Sequence, residues 1–315
     1  MSRMRTTLEG QSALLSELSA DPDPAARAAE RLAGRRVWLC GTGTSWHAAN
    51  HGAWFLHTAG IDARALQAAD AAAGAPGPAA GDGLLLLSHS GGKRYALEVL
   101  ERARAVGAEC VVVGARGREG VDVPTSEREQ SSAYTASHLA AMFRLAQIAE
   151  ALGAGFGALD VVPSAVAAAV TGPPPGVPAP ARLLEFTGAG ANQWTAAEGA
   201  LKVREASRIA TEGLAAEQLL HGPAVALGGD DVLVTLDGGG PLSARLETVA
   251  GLAEVNGARV HRIGADELGE PLSVFMLTVA VQRVALTLAE QAGTDPDAFG
   301  YDVPGRKAAW EAVEL

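Results

Sequence analysis

Three side chains in one helix-like segment are spaced to move a proton. In "AAEGALKVREASRIATEGLAAEQLLHGP", Ala196 to Pro223, residues Glu198, Lys202 and Glu205 stand at i, i+4 and i+7 and fall on one helical face. A carboxylate beside an ammonium in a cleft is a usable acid–base pair, because environment can separate the two pKa values. His221, placed before Gly222-Pro223, adds a group that titrates near neutrality. An ordinary surface ion pair has the same spacing, so both readings stay open on the residues alone.

Three turns could hold an anion. "GTGTS" (Gly41–Ser45), "SHSGG" (Ser88–Gly92) and "GAGAN" (Gly188–Asn192) each follow an apolar run and precede a helical pattern. Glycines let backbone N–H groups converge, hydroxyls donate further hydrogen bonds, and a helix N-terminus favours negative charge. In the first two turns the candidate ligands are Thr42, Gly43, Thr44 and Ser45, then Ser88, His89, Ser90 and Gly91, with Lys93 just beyond. Neither the dinucleotide G-x-G-x-x-G nor the phosphate-binding G-x-x-x-x-G-K-[ST] is present. A tight strand-to-helix junction needs small polar residues in any case.

Several other chemistries are disfavoured. His47 and His51 are i, i+4 with His57 nearby, a spacing that can ligate zinc. No acidic residue or cysteine joins them at ligand spacing, so they read as packing residues and a metal site is not expected. Cys40 and Cys110 lie in apolar runs and read as buried thiols in a reducing compartment. The formal charge of −11 argues against nucleic acid or an anionic membrane as partner. The apolar segment Leu272–Gln291 carries Gln282 and Arg283 at its middle, which suits a buried helix better than a membrane span. The N-terminus shows no signal-peptide pattern, so a cytoplasmic protein is expected.

The elements that must position these residues alternate along 315 residues, a length that favours about two domains. Strands are predicted at Val37–Cys40, Ile61–Leu66, Leu84–Leu87 and Glu109–Val113, with a helix from the first turn to about Thr58 and a long one over Ala133–Leu152. A Pro/Gly stretch at Gly172–Pro180 reads as a linker. The pattern then restarts with a strand at Leu183–Phe186, a helix at Thr195–Ile209, strands at Val232–Leu236 and Val260–Ile263, and the helix Leu272–Gln291. Near-continuous apolar strands alternating with helices imply an α/β fold, with mainly parallel sheets covered by helices on both faces. "RRVWLCGTGTSWHAA" and "ARLLEFTGAGANQWTAAEGA" share a strand, a G-x-G turn and an Ala-rich helix, which suggests two tandem αβα domains. The expected division is a helical segment over 1–30, a first domain over 31–171, the linker 172–180, a second domain over 181–294 and a tail over 295–315.

Together, "CGTGTSWHA", "SHSGG" and "AAEGALKVREAS…AAEQLLHGP" resemble the tandem sugar isomerase (SIS) family, and within it the isomerase half of glucosamine-6-phosphate synthase. The resemblance implies that Thr44 and Ser45, with Ser88, His89 and Ser90, line a sugar-phosphate pocket. It implies that Glu205 moves a proton between C1 and C2, with Glu198 and Lys202 as neighbours. It implies that His221 opens the sugar ring from the neighbouring subunit, hence a homodimer, and that no metal or organic cofactor is used. Ser131 and Ser132, in "EREQSSAYT", stand near the family's hydroxyl-bearing loop. Gly92-Lys93 departs from the family's Glu-Thr, so Lys93 is expected to supply a cation in place of a hydroxyl. Lys307, the sole tail lysine, falls out of register with the family's Schiff-base lysine.

A glutaminase domain is not seen ahead of this region, so glutamine-dependent synthesis is not expected of this chain alone. The expectation is a sugar-phosphate isomerase or isomerising aminosugar-phosphate deaminase. The alternatives are a non-catalytic sugar-phosphate sensor or a sugar-phosphate–amine deglycase.

Overall fold

The computed structural model describes residues 1–313. Its elements run in the order α1 (Arg3–Glu9), α2 (Gln11–Ala20), α3 (Asp23–Leu32), β1 (Val37–Gly41), α4 (Thr44–Thr58), β2 (Ala63–Gln67), α5 (Ala68–Ala72), β3 (Gly83–Leu87), α6 (Arg94–Ala105), β4 (Glu109–Gly114), β5 (Val123–Pro124), α7 (Ala136–Ala151) and α8 (Val162–Thr171). They continue with β6 (Leu184–Gly188), α9 (Asn192–Ser207), β7 (Thr211–Ala215), α10 (Ala216–Leu220), β8 (Val232–Asp237), α11 (Ser243–Val255), β9 (Arg259–Gly264), α12 (Val274–Ala292) and α13 (Arg306–Glu311).

The chain divides into two compact units. One comprises residues 10–130, 134–163 and those from 301 onward; the other comprises 1–9, 131–133 and 164–300. The division is less sequential than the expected boundaries. The first helix and all but the first two residues of α8 group with the later sheet, and the tail groups with the earlier one only from residue 301.

The earlier unit holds a five-stranded parallel sheet ordered β2-β1-β3-β4-β5. Its central strands are buried along their whole length, which explains their unbroken apolar sequence. Trp38, Cys40, Leu84, Leu86 and Val112 pack on one face with Ala96, Val99 and Leu100 of α6. The alternate set, including Leu39, faces α4 and α7. There a Cβ on Gly52 would stand 2.7 Å from both Leu39 and Leu145, so α4 lies close to the sheet. The buried thiol of Cys40 has its pKa pushed up to about 12 by burial.

The later unit repeats the order with four parallel strands, β7-β6-β8-β9. Leu233, Leu246, Val249 and Leu219 form the core on the α10/α11 side. On the other side α9 packs along α12, and a Cβ on Gly199 would stand only 3.0 Å from Val281. In α12, 72% of the most apolar window is buried, although the helix is long and apolar enough to cross a membrane. Its Gln282 is buried, and Arg283 donates to the carbonyls of Ala169 and Gly172.

The expected strands and long helices are present, with boundaries shifted by at most three residues. The sequence pattern does not reveal β5, β7, or the helices α5, α8, α10, α11 and α13. The strand β7, "TEGLA", is partly exposed and carries no apolar run. The helix α8, "VPSAVAAAVT", sits inside what reads as a Pro/Gly-bounded loop.

Candidate active site

In the later unit the three spaced residues do come together on α9. Lys202 Nζ lies 3.5 Å from Oε1 of Glu198 and also donates to Oε2 of Glu205. The Glu198 and Lys202 side chains are sealed from solvent, while Glu205 is 17% exposed. A surface ion pair is therefore ruled out. Two carboxylates flank one ammonium in a desolvated setting, where charge interactions are strong and a lost partner is costly. Of the three only Glu205 keeps solvent-accessible surface, and Lys202 bonds its carboxylate. The helix ends at Ser207, and Arg208 follows in the left-handed conformation with its N–H on the Arg204 carbonyl.

His221 ends α10 in the same unit. Its side chain is 72% exposed, and Nε2 lies 3.0 Å from Oε1 of Glu217. Arg245 grips Glu217 through Nε at 2.7 Å and Nη2 at 2.8 Å. These bonds, that from Arg245 first, draw the Glu217 carboxyl down to about 2. The imidazole is thus held from one side and open on the other.

Of the remaining sequence candidates, Ser131 and Ser132 belong to this later unit. Ser131 donates to Oδ1 of Asp297 at 2.9 Å, and Ser132 to its backbone carbonyl at 2.8 Å. The same carboxylate accepts from the backbone N–H groups of Arg3 and Met4, so these hydroxyls take part in a tie that anchors α1. Lys307 lies exposed on α13.

The earlier unit holds the two hydroxyl-bearing turns at the C-terminal ends of β1 and β3. Gly43 has φ of 56° and precedes the first residue of α4, Thr44, so Thr42 to Ser45 wrap the helix start. A Cβ on Gly41 would stand 2.5 Å from the Ser45 backbone, which is why the strand ends on glycine. In the second turn the chain runs from Ser88 through Ser90 and Gly91, the latter at φ 75°, to Lys93, which stands at the N-cap position of α6 with its side chain exposed and making no cap hydrogen bond.

His89 is fixed by its neighbours. The backbone N–H of Glu129 donates to its Nε2 at 3.1 Å, and the ring stands edge-on to Tyr134 at 5.7 Å. Burial, aided by Arg118 and Arg128 and opposed by Glu129, pushes the His89 pKa down. The neutral imidazole therefore carries its proton on Nδ1. The Glu129 carboxylate is spent elsewhere. It accepts from Thr135 N and Oγ1, Ala136 N, and Ser137 N and Oγ, at 2.5 to 3.3 Å, capping α7.

One residue of this cluster escaped the sequence reading. Arg118, four residues past the end of β4, lies against the second turn, where a Cβ on Gly91 would overlap its guanidinium. A Cβ on Gly114 would stand 2.8 Å from its Nη2 and 2.9 Å from the Ser88 carbonyl. The sequence signal was available: "GARGRE" places glycines around an arginine directly after a buried strand. The cation expected at Lys93 is thus matched by a second one beneath the turn.

These geometries can be compared with known proteins. Curated relatives include glutamine–fructose-6-phosphate aminotransferases from Thermococcus kodakarensis (31% identical over 126 residues) and Zymomonas mobilis (35% over 139 residues). The matches cover 36% and 38% of this chain, and the chain spans about a fifth of the length of those relatives, 21% and 22%. Among solved structures, tagatose-6-phosphate ketose/aldose isomerase from Escherichia coli superposes with a TM-score of 0.80 at 20% identity, covering 95% of each chain. This is the sugar isomerase fold. Glucosamine-6-phosphate deaminase from Thermotoga maritima gives 0.78 at 17% identity, covering 94% of this chain and 97% of its own. The C-terminal domain of glucosamine-fructose-6-phosphate aminotransferase from Francisella tularensis gives 0.79 at 17%, covering 94% and 98%. No protein-family model matches the chain. In sequence and fold together the chain resembles the isomerase half of glucosamine-6-phosphate synthase.

Proposed function

We propose that this sugar-isomerase-fold chain is an enzyme that moves a proton between C1 and C2 of a phosphorylated ketose or aminosugar. The observation that carries the reading is Glu205, the one partly exposed carboxylate of a buried Glu198–Lys202–Glu205 cluster. Its carboxylate takes the C–H proton next to the carbonyl or imine. The electron pair becomes a C1=C2 double bond while the carbonyl oxygen or imine nitrogen gains a proton. The proton returns to the former carbonyl or imine carbon, as the hydroxyl or amine on the first carbon gives up its O–H or N–H proton and becomes the new carbonyl or imine. This completes the isomerisation, and hydrolysis of an imine so formed would release ammonia.

Glu198 and Lys202 act as positioning residues, since neither reaches solvent. The turns at Thr42–Ser45 and Ser88–Gly91 anchor the substrate's phosphate, the task their hydroxyls and N–H groups suit. His221, exposed and braced by Glu217, assists ring opening, in this reading from the partner subunit of a homodimer. Similarity to proteins described as a deaminase, a ketose/aldose isomerase and an aminotransferase supports the substrate class.

The test is conversion of fructose 6-phosphate, tagatose 6-phosphate and glucosamine 6-phosphate by wild type and by Glu205→Gln. The variant is expected to bind but not convert the substrate that wild type turns over. Full activity in Glu205→Gln would remove the assignment, and binding without turnover by wild type would favour a sensor.

A further inference from the structure

The C-terminal ends of β3, β4 and β5 carry a set of buried polar atoms with no hydrogen-bond partner: Ser88 Oγ, His89 Nδ1, Ser126 Oγ, and Nε and Nη2 of Arg118. Ser88 is only 5% exposed. The strands place these groups side by side, because Ser88 N donates to Val113 O, Ala115 N to His89 O, and Arg116 N to Ser126 O. Every one of the five can donate a proton: two hydroxyls, an imidazole N–H by the tautomer argument above, and two guanidinium N–H groups. No carboxylate answers them among the described residues. Glu129 is saturated by the start of α7, and burial without a counter-charge pushes the Arg118 pKa down.

The later unit shows what such a pair of turns accepts. Its strand order matches with β6 in the place of β1 and β8 in the place of β3. There the turns after β6 and β8 enclose the chain's own carboxylate, Glu270. A Cβ on Gly190 or Gly240 would stand 2.6 or 2.5 Å from its Oε2, and Asn192 Nδ2 donates to Oε1 at 3.4 Å. One unit has its anion built in; the other has unanswered donors.

We propose that Arg118 is an anion-anchoring residue of the second turn, gripping a phosphate oxygen pair through Nε and Nη2 beside Ser88 Oγ and His89 Nδ1. The proposal rests on the phosphosugar reading for the identity of the ligand, not for the site. Gly91 and Gly114 supply the slot in which the guanidinium lies. Arginine's planar fork suits a bidentate grip on phosphate, which an exposed lysine such as Lys93 cannot give.

The probe is inorganic phosphate, titrated into the full chain by calorimetry, with phenylglyoxal labelling of Arg118 followed by mass spectrometry. In wild type, phosphate should slow Arg118 labelling. Arg118→Gln should weaken phosphate binding by about tenfold or more, and Arg118→Lys should restore only part of it. Labelling of wild type needs no variant to fold. Labelling unaffected by phosphate, or wild-type phosphate affinity in Arg118→Gln, would overturn the proposal. A chain that binds phosphate through Arg118 yet converts no sugar phosphate keeps this assignment and removes the isomerase reading. A Glu205-dependent activity with an unchanged KM in Arg118→Gln overturns Arg118 alone.

Discussion

Lys202 Nζ lies 3.5 Å from Oε1 of Glu198, one turn apart on α9, with both side chains sealed from solvent. A pair in that setting contributes little net stability when intact, because desolvation offsets attraction, but breaking it is expensive. Lys202→Met should therefore destabilise the chain by about 3–5 kcal/mol in urea denaturation, by leaving Glu198 charged and buried. The double variant Glu198→Gln/Lys202→Met should recover a large part of that loss. A single-variant cost below about 1 kcal/mol, the range of exposed pairs, would contradict the burial described.

A second buried carboxylate makes stability depend on pH. Glu185 lies on β6, and burial, with Glu212 adding to it, raises its pKa to about 8, well above the ordinary carboxylate value. The folded state thus holds a proton that the unfolded state releases near its usual pKa. The stabilisation is fully present below the unfolded pKa of about 4.3 and is lost as pH rises to about 8. Denaturation midpoints should fall across that window in wild type, and Glu185→Gln should flatten this part of the profile. An equal slope in both would exclude Glu185 as the source.

Glu129 is expected to hold the start of α7. Its two carboxylate oxygens accept from three backbone N–H groups and two hydroxyls there. Glu129→Ala should cost about 1–2 kcal/mol, the upper range for a lost helix cap, measured by thermal or chemical denaturation. A cost near zero would show that water replaces the cap freely.

Gly199 sets how closely α9 approaches α12. Gly199→Ala should cost about 1–3 kcal/mol by forcing the new methyl against Val281, 3.0 Å away. Adding Val281→Ala, which removes Cγ1 and Cγ2 at 3.1 and 3.4 Å but keeps Cβ, should relieve part of that loss, read as a coupling energy in a double-mutant cycle. Simple additivity would argue against contact at this point.

Much of this arrangement was legible in the sequence, for identifiable reasons. Strands such as Leu84–Leu87 are buried on both faces, so their composition announces them. The Glu198–Lys202–Glu205 spacing needs only helix geometry to put three side chains on one face. What stayed hidden depends on contacts distant in sequence. Ser131 and Ser132 looked like pocket hydroxyls but bond Asp297, 166 and 165 residues away. Lys93 follows the second turn directly and so drew notice as its cation, while Arg118 reaches that turn only because β3 and β4 are neighbours. The turn GAGAN has the composition of an anion cradle, and only the fold reveals that Glu270 fills it.

The most direct test of the central claim is hydrogen exchange at the substrate carbons. Wild type incubated with fructose 6-phosphate, tagatose 6-phosphate or glucosamine 6-phosphate in deuterium oxide should wash deuterium into C1 or C2 of the accepted sugar, read by proton NMR. With Glu205→Gln the proton signals at C1 and C2 should stay undiminished, because no deuterium enters. Exchange at the wild-type rate in Glu205→Gln would contradict the account.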